Sequence, residues 1–427
     1  MKKSKYTISQ EYEKGFFLLT NFVTRKHILL SQSSYNSYNA DKNCLALKSA
    51  YPDIFDSLVV GGFLVQDDLD EYKECCKYFR KIREDKDFYH LIINPTLDCN
   101  LSCWYCYEQK VVNSKINNNI IRGTIRHIQE RYSVLSFKRL KISFFGGEPF
   151  MMVNAIKEIS SEVQAFCSRN DIELILDFTT NGTLISISTL KWLSNFRCSF
   201  QITLDGDCEQ HNKIKYTINK RVDTYNLTLT HIKQILQYIP NSFIAIRINY
   251  DAHTLENFNE VISDLKFIDK SRCKVILKKV WQVSSKCVNE ELLLSVKAKL
   301  WKEGFIVDTY GDSGVCFADR KSQAVINYDG NIFKCTTISK FDDSTALGYL
   351  DSASGRIIWH ENRIKYLKKP QILESCKKCI LFPECGGPCK IRIHVEPNWE
   401  CPNLAPSFDI YAHARNLFMN ELTNSTL

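Results

Sequence analysis

From residue 88 onward the chain settles into a rhythm. Short apolar, β-branched runs alternate with stretches in which apolar residues recur every three to four positions. The runs LIINPTL, LKISFFGG, LILDFTTNG, FQITLDG, FIAIRINY and KVILKKVWQV read as strands, and VNAIKEISSEVQAF, TLTHIKQILQYI and TLENFNEVISDLKFI read as amphipathic helices. Six such units over residues 88–295 predict an α/β domain, a parallel sheet curled into a partial (β/α)6 barrel. Residues 1–87 follow another pattern. GFFLLTNFV and KHILLS are strand-like, NCLALKSA is helical, and a second helix is expected at about 67–84, which together suggest a small α+β domain. After residue 295 the periodicity breaks into short pieces and loops rich in Gly, Pro and Cys, so 296–427 is expected to be a loop-rich C-terminal domain.

Polar residues and glycines gather at the C-terminal end of each predicted strand. Cys99, Cys103 and Cys106 follow the first strand, and Gly146-Gly147-Glu148-Pro149 the second. Thr180-Asn181-Gly182 ends the third, and Thr203-Leu204-Asp205-Gly206 the fourth. Arg247 and Asn249 lie on the fifth, and the sixth ends near Gln282. The C-terminal edge of a parallel sheet or barrel is where active sites form. Any one of these segments alone is an ordinary turn; their coincidence predicts one shared site.

Composition narrows the class. The 427 residues are 44% apolar and 24% charged with net charge +8, which is ordinary for a globular protein. No dense basic stripe with interleaved aromatics points to nucleic acid. The N-terminus lacks an apolar signal region, and no run nears about 18 apolar residues. A cytoplasmic protein without membrane contact is expected. Eighteen cysteines in such a compartment suit metal or cluster ligation better than disulfides. Ten fall into two constellations; Cys44, Cys75, Cys76, Cys167, Cys198, Cys208, Cys273 and Cys287 lack ligand spacing, and Cys75 and Cys76, at helical spacing with Leu69, Tyr72, Phe79 and Ile82, read as core residues.

CNLSCWYC holds three thiols, where a zinc site or an ordinary 4Fe–4S cluster takes four ligands. A cluster held by three leaves one iron open to a chelating ligand. Close approach of backbone to that ligand needs small residues, which Gly146 and Gly147 supply, and Glu148 adds an acceptor for an amine. This C-x3-C-x-aromatic-C loop resembles the signature of radical S-adenosylmethionine enzymes, and GGEP resembles their strand-two motif. The resemblance implies that the open iron chelates S-adenosylmethionine. It also implies that Tyr105 packs near the adenine and that Gly146, Gly147 and Glu148 bind the methionyl amine. Thr203 stands where many relatives carry Ser, and Asn181 at the third strand end joins the same contact set.

The second constellation runs C-x13-G-x4-C, then C-x2-C-x5-C-x3-C, then C, with AVINYDGNIFKC as a hairpin turning at Asp329-Gly330. It resembles the SPASM extension of the same enzymes at every cysteine. The resemblance implies two auxiliary 4Fe–4S clusters, one held by Cys376, Cys379, Cys385 and Cys401, the other by Cys316, Cys335 and Cys389. Ser322 stands where some relatives add a further cysteine, so the second of these clusters has an iron open to a substrate thiolate, a serine or water.

Three 4Fe–4S clusters and S-adenosylmethionine imply radical modification of a peptide or protein. The leading expectation is a ribosomally made precursor with a leader, matured by a thioether or carbon–carbon cross-link. An electron donor such as flavodoxin or ferredoxin is implied. The N-terminal domain loosely resembles small leader-recognition domains, which take a peptide strand on a sheet edge; a plain cap over the barrel is the alternative. A rival activity is anaerobic sulfatase maturation, whose enzymes carry an Asp base where this chain has Thr336; Asp319, Asp329 and Asp342 remain candidate bases without a choice among them. A reading of another class is a zinc-stabilised binding module or an iron–sulfur electron carrier.

Overall fold

The computed structural model describes residues 1–217, 222–280, 282, 290–308, 314–338, 340–368, 372–395, 400–401 and 408–425. The chain forms two compact units. One gathers Met1–Glu84, Tyr310–Arg320 and Tyr366–Leu422; the other gathers Asp85–Thr309, Lys321–Lys365 and the last residues. The first unit thus combines the N-terminal segment with the chain around 310–320 and after residue 366.

In the first unit, β1 (Thr7–Glu13), β2 (Phe16–Asn21) and β3 (Lys26–Ser31) form an antiparallel sheet in sequence order. Then come α1 (Gln32–Ala40), α2 (Leu45–Ala50), α3 (Pro52–Val60) and α4 (Glu71–Arg83). Leu19, Leu30, Tyr38, Leu47, Phe55 and Leu58 build a common core of the sheet with α1, α2 and α3. Asp70 caps α4 by accepting from Lys73 N, and Cys75 and Phe79 form its buried stripe.

The second unit carries the six expected parallel strands: β4 (Phe88–Asn94), β5 (Arg139–Phe144), β6 (Glu173–Thr180), β7 (Arg197–Thr203), β8 (Phe243–Tyr250) and β9 (Cys273–Lys279). Period-two burial shows why β6 sits as it does. Leu174, Leu176, Phe178 and Thr180 are buried, and Ile175, Asp177 and Thr179 face the more open side. Phe178 stacks between Phe144 and Phe200 at 5.4 and 5.2 Å, which ties three neighbouring strands on the packed face. Helix α5 (Asn118–Leu135) starts where the Asn117 side chain accepts from Ile120 N and buries Ile120, Ile121, Thr124 and Ile128. Helix α6 (Val153–Arg169) buries Ala155, Ile156, Ile159, Val163 and Cys167 at helical spacing.

The sheet extends beyond six strands. A short β10 (Ile306–Asp308) adds parallel to β9. On the other edge β11 (Gln323–Asn327) pairs parallel with β4 and continues through β12 (Asn331–Phe333), β13 (Gly348–Asp351) and β14 (Arg356–Trp359). The hairpin predicted at Asp329-Gly330 is β11–β12, with Gly330 at φ +88°. Thus the hairpin carrying Cys335 is hydrogen-bonded to the strand that leads into Cys99. Among the described residues no helix is long and apolar enough to cross a membrane. Cys75 is buried, as expected of a core thiol, and so are Cys44, Cys167, Cys198 and Cys273, while Cys76 and Cys208 are partly exposed; Cys287 lies outside the described residues.

Candidate functional site

At the C-terminal edge of β4–β9 lies a cavity of about 500 Å³. Cys99, Cys103 and Cys106 all line it, with Tyr105, Gly146, Gly147, Asn181, Thr203, Arg247, Asn249 and Gln282. Sequence reasoning therefore placed one site from six strand ends.

The loop's shape is fixed by hydrogen bonds. Asp98 accepts from Cys99 N at 2.8 Å and from Asn113 N at 2.9 Å, and Thr96 Oγ1 donates to the Ser114 carbonyl at 2.6 Å. Leu101 bridges to Thr217, and Ser102 N donates to the Tyr216 carbonyl at 3.1 Å. The GGEP turn closes the other side, where Gly147 N donates to Thr96 O and Glu148 N to Asp98 O. A Cβ on Gly146 would sit 2.2 Å from Thr96 O, and one on Gly147 2.1 Å from Asp98 O. The two glycines are required for the strand-two turn to lie against the cysteine loop, a use the sequence reading assigned to the ligand alone.

Glu148 differs from expectation. Its carboxylate is fully buried and absent from the cavity wall. It accepts from Phe150 N at 3.0 Å, Asn181 N at 2.8 Å and Thr180 Oγ1 at 2.8 Å. Burial pushes its carboxyl up to about 7 despite those donors. Glu148 braces the second strand end to the third, and what GGEP presents to the cavity is glycine backbone.

Two residues outside the predicted set stand out. Lys215 is buried, with Nζ 3.7 Å from Asp205 Oδ2 and 3.9 Å from Cys103 Sγ. Burial opposes its charge, but Tyr105, Cys103 and Asp205 outweigh that and hold its pKa well above the ordinary value. The Tyr105 hydroxyl donates to Asp205 Oδ2, and Asn249 supports both groups, donating through N to Asp205 Oδ1 at 2.8 Å and through Nδ2 to Tyr105 Oη at 3.2 Å. Gln282 Nε2 donates to the Tyr105 carbonyl at 2.6 Å. Glu108 also lines the cavity; among the described residues its buried Oε2 has no hydrogen-bond partner, and burial pushes its carboxyl up to about 8 against the opposing effect of Tyr107. A lone Lys in HNKIKY or a Glu after the motif carries no signal in one sequence.

The donor set fits a cluster bound through thiolates. Leu101 N and Asn181 Nδ2 both donate to Cys99 Sγ, at 3.5 and 3.8 Å. Burial pushes the Cys99 thiol up to about 12, so an anionic sulfur there calls for a positive counterpart such as iron.

In the first unit, burial above all, and the neighbouring thiols after it, push the Cys376, Cys379 and Cys385 thiols up. Gly386 (φ +67°) and Gly387 (φ +111°) turn the chain after Cys385. The loops bearing Cys316 and Cys389 lie together. A Cβ on Gly386 would sit 2.4 Å from Gly314 O, and Lys390 Nζ is 3.9 Å from Asp319 Oδ1. Cys335, in the second unit, accepts from Thr337 N at 3.3 Å. Ser322, the candidate fourth ligand, is buried and donates its hydroxyl to the Asp85 carbonyl at 2.6 Å. Asp319 faces Arg83 and Lys390, Asp329 accepts from Asn331 N in the hairpin turn, and Asp342 accepts from Ser344 in another turn. Each of the three candidate bases has a structural task.

Comparison with known proteins agrees with this geometry. The profile of the Radical SAM superfamily matches residues 93–268, and that of the SPASM iron-sulfur cluster-binding domain matches residues 316–380. The chain is similar to the radical SAM cyclopropyl synthase TigE of Paramaledivibacter caminithermalis, 22% identical over 89% of this chain and 83% of that protein. It is also similar to a cysteine-type anaerobic sulfatase-maturating enzyme of Clostridium perfringens, 23% identical over 76% of this chain and 96% of the relative. A solved structure, native anSMEcpe with bound AdoMet and a Kp18Cys peptide, has a TM-score of 0.57 at 18% identity, covering 79% of this chain and 99% of that one. That likeness is one of fold.

Proposed function

We infer that this chain, a radical S-adenosylmethionine enzyme with a SPASM extension, is a maturase that modifies a ribosomally made peptide, by a thioether or carbon–carbon cross-link. When bound, the cluster and S-adenosylmethionine supply a 5′-deoxyadenosyl radical that removes a hydrogen atom from the substrate. The observation that carries the reading is the meeting of three thiols with Lys215 and the GGEP backbone around one cavity.

The chain's own residues have separable tasks. Cys99, Cys103 and Cys106 hold the cluster, and the donors on Cys99 Sγ stabilise its thiolate. The backbone carbonyls of Gly146 and Gly147 suit an ammonium, and Lys215 suits the carboxylate of the same amino acid. Tyr105, fixed by Asp205, Asn249 and Gln282, offers a rigid wall for adenine, and Thr203 and Asn181 complete the lining. Glu108 Oε2, buried and without a partner among the described residues, suits a polar group on the substrate. Auxiliary clusters on Cys376, Cys379, Cys385 and Cys401, and on Cys316, Cys335 and Cys389, suit removal of the electron left after bond formation. Flavodoxin or ferredoxin suits the initial supply.

Thr336 in place of an Asp argues for peptide maturation over sulfatase maturation. The N-terminal antiparallel sheet with edge strands β1 and β3 supports leader binding by strand addition. The test is anaerobic incubation of reduced enzyme with S-adenosylmethionine and two peptides, a leader-bearing precursor and a sulfatase-derived Cys peptide. Release of 5′-deoxyadenosine with a cross-linked precursor supports the reading; formylglycine in the sulfatase peptide alone defeats it.

A further inference from the structure

The N-terminal sheet reaches the cysteine-rich loop through a charge. β2 and β3 are joined by the turn Phe22–Arg25, where Arg25 takes φ +54°, a conformation non-glycine residues seldom adopt. From there its guanidinium grips Glu384 with two prongs, Nε to Oε1 at 2.8 Å and Nη2 to Oε2 at 3.0 Å. Glu384 is 5% exposed and directly precedes Cys385. The Nε2 of His413, on the C-terminal helix (Ile410–Ser425), lies 3.8 Å from Glu384 Oε2. Phe22, Leu381 and Ala414 form a small core around this contact.

We propose that Arg25 is a positioning residue for the auxiliary cluster of Cys376, Cys379, Cys385 and Cys401: it neutralises Glu384 beside Cys385 and so sets that cluster's reduction potential. The proposal rests on the ligand assignment made above. Net charge and hydrogen bonding near a cluster set its potential. A carboxylate this buried is poorly screened by water, so the loss of its cation is felt by the neighbouring sulfur and iron. Arg25, a guanidinium, acts on the cluster through Glu384. It makes the N-terminal sheet part of the electron-transfer site, which composition and spacing do not suggest.

Anaerobically reconstituted full-length enzyme is titrated by EPR-monitored reduction. Signals altered by added S-adenosylmethionine belong to the Cys99 loop, and the signal missing from Cys385→Ala marks the cluster in question. Arg25→Gln is expected to lower its reduction equilibrium constant about tenfold, about 59 mV for one electron. Glu384→Gln shifts the midpoint the opposite way, and Arg25→Lys and Arg25→Gln/Glu384→Gln stay near the wild type. Iron content is unchanged in all four. Unmoved midpoints in both Arg25→Gln and Glu384→Gln overturn the proposal. So does an equal loss of iron in Arg25→Gln and the double variant, because Arg25 then only packs. A Cys385→Ala enzyme that keeps every signal overturns the ligand assignment itself, and the proposal with it.

Discussion

Lys215→Met tests the cofactor site most directly. Lys215 is buried with Nζ 3.7 Å from Asp205 Oδ2. A hydrogen bond to a charged group contributes about 1.5–3 kcal/mol, and about 1.4 kcal/mol is tenfold, so S-adenosylmethionine affinity is expected to fall roughly 10- to 150-fold. Lys215→Arg keeps the charge and is expected to retain most of the affinity. The Met variant also leaves Asp205 buried without its cation. Removing one partner of a buried pair costs about 3–5 kcal/mol, an upper figure here because Tyr105 Oη and Asn249 N still donate to the carboxylate. The double variant Lys215→Met/Asp205→Asn removes that burden. Equilibrium dialysis with S-adenosylmethionine, beside urea unfolding, separates the two effects. Stability should return in the double variant while affinity stays low. Affinity within about twofold of wild type in Lys215→Met, or restored in the double variant, refutes a direct role for the ammonium.

Gly147→Ala drives a Cβ into the Asp98 carbonyl, so the cysteine loop must shift; iron analysis should show the loss of about four of about twelve irons, with 5′-deoxyadenosine release abolished. Phe178→Ala opens the stacked layer and should destabilise the barrel by about 3–5 kcal/mol in urea unfolding, unless the neighbouring rings collapse into the space. Glu148 predicts a pH effect of definite sign. Its folded pKa lies above the ordinary value, so the folded state binds more protons between the ordinary carboxylate range and about pH 7. Stability should fall as pH rises through that window, and Glu148→Gln should flatten the fall. A pH–stability curve identical in the two proteins contradicts the burial argument.

The parts legible in the sequence were those written in local spacing. CNLSCWYC and the six strand ends could be read because ligand spacing and period-two burial are short-range. Lys215 was not legible, because long-range contacts such as the Leu101–Thr217 bridge and the Ser102–Tyr216 hydrogen bond bring its segment across the cysteine loop. Glu148 was recognised as important but aimed wrongly; the donors of Phe150, Thr180 and Asn181 draw its carboxylate away from the cavity. Ser322 matched an alignment position, yet the Asp85 carbonyl holds its hydroxyl. At the N-terminus, TISQEYE and QSSYNSYNA are too polar to show a strand or a helix by hydrophobic period, so β1 and α1 went unread.

The parallel pairing of β4 with β11 has a consequence for biosynthesis. Asn94 and Asn327, at the ends of those strands, are separated by 233 positions. At about 5–20 residues per second, the strand leading into Cys99 waits roughly 10–50 s on the ribosome before its partner exists. Until then β4 has an open edge next to three reduced thiols. Completion of the sheet is therefore a late event, and a ribosome stalled before residue 327 would leave that edge bare.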